Sequence, residues 1–150
     1  VLIGEAPGEQ EDITGIPFVG RAGKFLDSVL AELGVDRSCV FITNVVRCRP
    51  PGNRKPTDEE ISQCLPNLVA ELKSVRPSIV VALGAVALKA LTGRSGRLSD
   101  DIGKEFEIKL NGVRFIVIAS YHPSAAMRNR RMRERFRLVL SKALSRIDRE

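Results

Sequence analysis

Several things are scarce in this chain, and each scarcity excludes something. Cysteine occurs three times, at Cys39, Cys48 and Cys64. Three are too few for a disulfide framework and fit a reducing compartment. Their spacing matches no zinc motif. No apolar run approaches the length of a membrane span, and no signal peptide is visible. Neither GxGxxG nor GxxxxGK[ST] occurs, so a dinucleotide or P-loop site is unsupported. There is no internal repeat, low-complexity tract or second domain. Histidine occurs once, at His122. A lone histidine is more often structural than catalytic, so its setting has to carry any argument for chemistry.

What is present is enough for one domain with a sizeable core: 150 residues, 43% of them hydrophobic. The net charge of +6 is unevenly placed. Residues 1–127 hold 15 basic and 15 acidic side chains, whereas residues 128–150 hold nine and three. Six arginines fall between Arg128 and Arg137. Such a run is either a solvated helix face or the electrostatic footprint of a nucleic-acid binder.

The chain is organised around Val1 to Gly23. Val1, Leu2 and Ile3 form a short apolar run that stops at Gly4. Glu5, Pro7, Gly8, Glu9, Glu11 and Asp12 follow, then Gly15, Pro17, Phe18 and Gly20. This reads as a strand, a long glycine- and proline-rich loop, and a helix start. The loop beyond a strand's carboxyl end is where ligands sit in an open α/β sheet. A simple surface turn would explain the Gly and Pro but not Phe18 among a cluster of carboxylates. An acidic loop repels phosphates. The chain opens inside what reads as a buried strand, so a segment ahead of Val1 is expected.

The remaining elements follow from periodicity. Ala22–Leu33 carries apolar residues at helical spacing and closes at Gly34. Residues 39–46 are a β-branched strand run in which Cys39 reads as a small buried hydrophobe. Residues 47–56 form a basic, proline-rich loop. Thr57 and Glu60 make a capping box for a helix ended by Pro77. Residues 79–83 are a buried strand, and Ala85–Leu91 a short helix. Residues 94–104 form a polar loop. Phe106–Leu110 and Val113–Ala119 form a hairpin on Asn111-Gly112. One helix is expected from about Ala125 to Ile147. The order predicts a three-layer α/β/α fold with a mostly parallel sheet of about four strands.

Three polar positions fall on loops beyond strand ends: Glu5 to Phe18, Asn44 and His122. A parallel sheet brings those ends to one edge. Asn44 closes an apolar run and is either a satisfied structural residue or a ligand contact. His122 follows an apolar strand and precedes Pro123, which fixes the turn.

The segments GEAPGEQED, PFVGRAG, NVVRCRPP, CLPNL and HPSAAMRN, in this order and spacing, resemble the family 4 (thermostable, iron–sulfur) uracil-DNA glycosylases of bacteria and archaea. The likeness covers nearly the whole chain, as one glycosylase domain over residues 1–150. It implies hydrolysis of the N-glycosidic bond of uracil in DNA, at the start of base excision repair. The implied catalytic residues are Glu5, Asn44 and His122. In the uracil pocket, Glu5 and Ala6 match the loop facing sugar and water, and Phe18 the stacking platform. Asn44 matches the reader of the base edge, His122 the group near O2, and Glu11 a side chain crowding C5. Ser124, Ala126, Met127, Arg128, Arg130 and Arg131 match the DNA-binding loop, with Ala126 or Met127 as its wedge. The resemblance also implies a monomer in a prokaryotic cytoplasm, beside the nucleoid. A sliding clamp or another repair protein is the implied partner, and no membrane is.

The family holds a 4Fe–4S cluster on four cysteine thiolates. Cys48 and Cys64 match two ligands; the other two are expected upstream of Val1. Two other readings stay open: a non-catalytic DNA-binding relative attached to a replication protein, and a glycosylase shifted toward other deaminated bases. Ala6 and the lack of a second histidine disfavour the related covalent DNA cross-linkers.

Overall fold

The computed structural model describes residues 1–16, 18–47, 49–51 and 55–147. Its sheet has five strands: β1 (Leu2–Gly4), β2 (Ile42–Asn44), β3 (Ile79–Leu83), β4 (Glu105–Leu110) and β5 (Val113–Ser120). Their order is β2-β1-β3-β5-β4. All neighbours are parallel except the β4–β5 hairpin. The sheet has one strand more than expected because both arms of the hairpin join it. Asn111 and Gly112 have φ of 46° and 87°, as a type I′ turn requires.

The strands alternate between two buried faces, as a period of two dictates. Leu2, Val81, Leu83 and Ile118 pack one way, against α2 (Arg21–Glu32), α6 (Pro123–Arg128) and α7 (Arg130–Ile147). Ile3, Val80, Ala82, Val117 and Ala119 pack the other way, against α3 (Asp58–Val75) and α4 (Ala85–Thr92). The layers are therefore helix, sheet, helix, as expected. Thr57 and Glu60 exchange both bonds of the capping box at the start of α3.

Four local readings are corrected. The helix expected from Ala125 to Ile147 is two helices. Asn129 is extended (φ −137°, ψ 120°), and its side chain accepts from the Met132 N–H at 3.1 Å, capping α7. The strand expected over 39–46 is shorter, because Arg37–Cys39 form a 3₁₀ turn. Cys39 is therefore exposed, not buried. The glycine-rich loop after β1 contains a short helix, α1 (Glu9–Thr14), closed by Gly15 at φ 73°. A further short helix, α5 (Leu98–Asp101), lies in the polar loop before β4.

β1 and β3 lie side by side, but the chain leaves them in opposite directions across the sheet: β1 leads to β2, and β3 leads toward the hairpin. That reversal opens a crevice at the strand carboxyl ends. α2 closes against it through one tight contact. A Cβ on Gly23 would lie 1.8 Å from the Phe18 carbonyl oxygen. Gly23→Ala is expected to destabilise the protein by about 2–4 kcal/mol, the range of severe core overpacking. Gly96→Ala, where nothing lies within 4 Å, is expected to stay within about 0.5 kcal/mol. Thermal melts of both variants check this.

Candidate active site

A cavity of about 610 Å³ occupies the crevice. Glu5, Ala6 and Glu11 reach it from the loop and helix after β1, and Phe18 from the strap before α2. Asn44 reaches it from the end of β2, and His122 and Ser124 from the segment after β5. Residues far apart in sequence thus meet because parallel strands deliver their carboxyl ends to one edge.

Asn44 pairs in register with Gly4 of β1. A Cβ on Gly4 would fall 2.3 Å from Phe18 Cζ and 2.7 Å from Asn44 Oδ1. The missing side chain is therefore what lets the ring and the amide share one wall. Asn44 is 7% exposed, and its Oδ1 has no hydrogen-bond partner among the described residues. Leaving a buried acceptor unsatisfied costs about 1–3 kcal/mol. Of the buried unpaired side-chain polar atoms among the described residues, this is the one on the cavity wall.

Phe18 is 6% exposed and holds φ 53°, a left-handed conformation rare for an aromatic residue. Its ring lies 5.7 Å from that of His122 at a tilt of 34°. Such strain is retained where surrounding structure over-determines it, and it clusters at functional sites.

His122 caps α6, with Pro123 at the first helical position. Its Nδ1 accepts from the Ser124 N–H at 3.1 Å, and the Ser124 hydroxyl lies 2.8 Å from the same nitrogen. An Nδ1 that accepts leaves the proton of a neutral ring on Nε2. Burial pushes the His122 pKa from 6.5 down to about 4, against an opposing pull from Glu11. The imidazole is therefore a neutral Nε2–H donor at physiological pH. Glu5 is shifted the other way. Burial raises its carboxyl pKa, and Lys55 partly counters this.

Some expected positions change meaning. Ala126 is fully buried among Leu26 and Phe136 in the core beneath α6, so it cannot touch DNA. Met127, beside it, is half-buried. The Ser124 hydroxyl is occupied by His122. Arg128 lines the cavity and is exposed, as are Arg130 and Arg131. Arg130 makes one long contact, 3.8 Å, to Glu134. The other three arginines of the run are committed internally. Arg133 donates to the Met127 carbonyl, Arg135 to the Tyr121 hydroxyl and the Ser99 carbonyl, and Arg137 pairs with Glu32. Arg21 and Pro50 also line the cavity. Sequence reasoning missed both. The signal for Arg21 was its place at the first turn after Gly20, directly beyond the strap.

By fold and site this is a doubly covered α/β protein with an aromatic-walled polar pocket at a topological switch point. Its sequence matches the uracil DNA glycosylase superfamily over residues 1–144. It is 44% identical over 145 residues to the type-4 uracil-DNA glycosylase of Pyrobaculum aerophilum, covering 94% of this chain and 74% of that one. Against the type-4 enzyme of Archaeoglobus fulgidus it is 43% identical over 140 residues, 91% and 70% of the two chains. Against that of Thermotoga maritima it is 46% identical over 131 residues, 87% and 67%. The chain belongs to the uracil-DNA glycosylase superfamily, beside its type-4 members.

Of the cluster ligands that the family implies in this chain, one lies on α3 and the other falls outside the described residues. Cys64 is partly buried on α3, Cys39 is exposed, and Cys48 lies outside the described residues. Among the described residues, no group of three or more His, Cys, Asp or Glu side chains is placed to hold a metal ion. Three cysteines are one short of four thiolates. No helix among the described residues is long and apolar enough to cross a membrane.

Two pH-linked outcomes are expected. The signal of the single histidine, followed by NMR, is expected to titrate with a midpoint near 4 and not near 6.5. Because the folded pKa is the lower one, the unfolded chain binds this proton more tightly. The stability contributed by neutral His122 is complete above pH 6.5 and is lost as pH falls toward 4. Glu5 has the opposite sign: its raised folded pKa favours folding at low pH, and that contribution is lost as pH rises through it. Glu5→Gln is expected to raise the melting temperature at pH 7, with a smaller difference at pH 4.

Proposed function

We propose that this protein flips uracil out of DNA and hydrolyses its N-glycosidic bond, leaving an abasic site for base excision repair. The observation that carries this reading is the unpartnered Asn44 Oδ1 on the cavity wall. Such an acceptor calls for a donor on the ligand. Uracil brings N3–H, and its O4 accepts from the other end of the same amide. Cytosine presents the reverse pattern, so it leaves two buried groups mismatched. Sites of this type reject the wrong partner by about 10⁴ or more.

The remaining residues fit around that contact. Phe18 supplies the surface on which the flipped base stacks. As the C1′–N1 bond breaks, its electron pair goes to the base and spreads onto O2. The Nε2–H of His122 donates to that oxygen. A lost donor of this kind costs about 3–4 kcal/mol of barrier. Water adds at C1′, and its released proton neutralises the uracil anion. The Glu5 carboxylate stabilises the cationic sugar or orients that water. Thymine shows Asn44 the same edge as uracil, so its methyl must be excluded by shape, on the side where Glu11 stands. Met127 takes the place of the departed base, and Arg21, Arg128, Arg130 and Arg131 hold flanking phosphates.

A labelled oligonucleotide with one uracil, treated with hot alkali after incubation, tests the activity. Scission at uracil and not at a matched thymine is expected. DNA binding without scission would turn the reading to a non-catalytic relative. A panel of deaminated bases separates a shifted preference. His122→Ala is expected to slow base release about 10²–10³-fold with DNA affinity unchanged. Wild-type turnover would remove His122 from the mechanism. Asn44→Asp is expected to relax discrimination against cytosine, because a protonated carboxyl donates to N3 while accepting from the exocyclic amine. Full uracil activity with unchanged cytosine rejection would count against Asn44 as the reader.

A further inference from the structure

The carboxylate of Glu11 is not free to act as a bare wall. Its Oε1 accepts from the Gly8 N–H at 2.9 Å. Its Oε2 accepts from the Val19 N–H at 2.9 Å and the Gly20 N–H at 2.6 Å. Charge-assisted bonds of this kind are short and about twice as strong as neutral ones. They join two segments that flank the cavity: the turn after β1, where Gly8 caps α1, and the strap, where Gly20 caps α2.

The glycines at both ends of this clasp are fitted to it. A Cβ on Gly8 would lie 2.9 Å from Oε1, and one on Gly20 would lie 3.2 Å from Oε2. Phe18 sits immediately before the clasped amides. Its carbonyl is pressed against Gly23 of α2, and the peptide N–H that follows is held by Glu11. The peptide group leaving Phe18 is thus fixed from both sides. This accounts for a buried aromatic residue that keeps φ at 53°.

We propose that Glu11 is a positioning residue. Its carboxylate ties the Gly8 turn to the Val19–Gly20 strap and so fixes Phe18 as the platform of the pocket. Any exclusion of a C5 methyl on that side is exerted by the clasped loop as a unit. The kinetic half of this inference rests on the uracil reading above; the clasp itself does not.

Glu11→Gln separates the clasp from a simple wall. Glutamine has the same shape, so a wall survives it. A clasp does not, because one end of the side chain becomes an NH₂ facing backbone donors. Hydrogen exchange in the whole protein is expected to show loss of at least about tenfold protection on whichever side of the clasp the NH₂ faces, the Gly8 amide or the Val19 and Gly20 amides, the loss a hydrogen bond to a charged group represents. Val81 and Val117, in the sheet, are expected to keep theirs. On uracil DNA, kcat/KM is expected to fall at least about tenfold, with binding to undamaged DNA within about twofold of wild type. Unchanged protection, or lost protection with unchanged kinetics, would overturn the proposal. Should the variant fail to fold, the wild-type protein decides: Val19 and Gly20 amides exchanging at unprotected rates would overturn the clasp. A wild-type protein that releases no uracil would sink the uracil reading, while the exchange data still judge the clasp.

Discussion

The parallel register of β1 is the constraint on which the rest depends. β1 is three residues long, yet it pairs with β2 on one side and β3 on the other. Through β2 it places Asn44 beside Gly4, and beyond Gly4 it releases the loop that carries Glu5, Ala6 and Glu11. The crevice exists because the chain turns one way from β1 and the other way from β3. A side chain at Gly4 would collide with both the Phe18 ring and the Asn44 amide. The pocket is thus a gap kept open by one absent Cβ, with its walls set by strand pairing.

The site is maintained against its own energetics. Asn44 buries an unpaired acceptor, Glu5 is a carboxylate that burial penalises, and His122 is denied its proton. Phe18 holds a strained backbone. Each of these opposes folding, and the two apolar layers on either side of the sheet offset them. A pocket pre-organised in this way meets its ligand without reorganising at the moment of reaction. The glycosylase reading gives each of these burdens a use: a donor for Asn44, a developing charge for His122 and Glu5, and a flat ring for Phe18.

The basic C-terminal region shows how one run of charge divides between jobs. Arg133 fastens α7 to α6, Arg135 fastens it to Tyr121 and α5, and Arg137 fastens it to α2. Lys142 and Arg146 pair with Glu105 at the edge of the sheet. Arg128, which lines the cavity, and Arg130 and Arg131 at the start of α7 are exposed and have no such internal contact to another element among the described residues. Composition sees one basic stretch and cannot distinguish these two groups, because the distinction is made by what faces each side chain.

Much was legible in the sequence because it is written locally. The β-branched runs, the Thr57 and Glu60 capping box, the Asn111-Gly112 turn and the alternation of helix with strand all follow from neighbours a few residues apart. The family segments, in register along the chain, identified the superfamily before any contact was known. The break at Asn129 was also local, an Asn cap overlooked within an otherwise helical pattern. Other features depend on partners distant in sequence and are decided only by folding. Ala126 is buried because α6 lies on the core, and no property of alanine announces that. Cys39 is exposed because the 3₁₀ turn delays β2. The neutral state of His122 follows from burial and from the Ser124 amide, and the role of Glu11 from amides eight and nine residues away. Propensity and pattern act over short distances and fix the elements. Burial, pairing and protonation depend on what the assembled sheet brings together, and those are what turn the elements into a site.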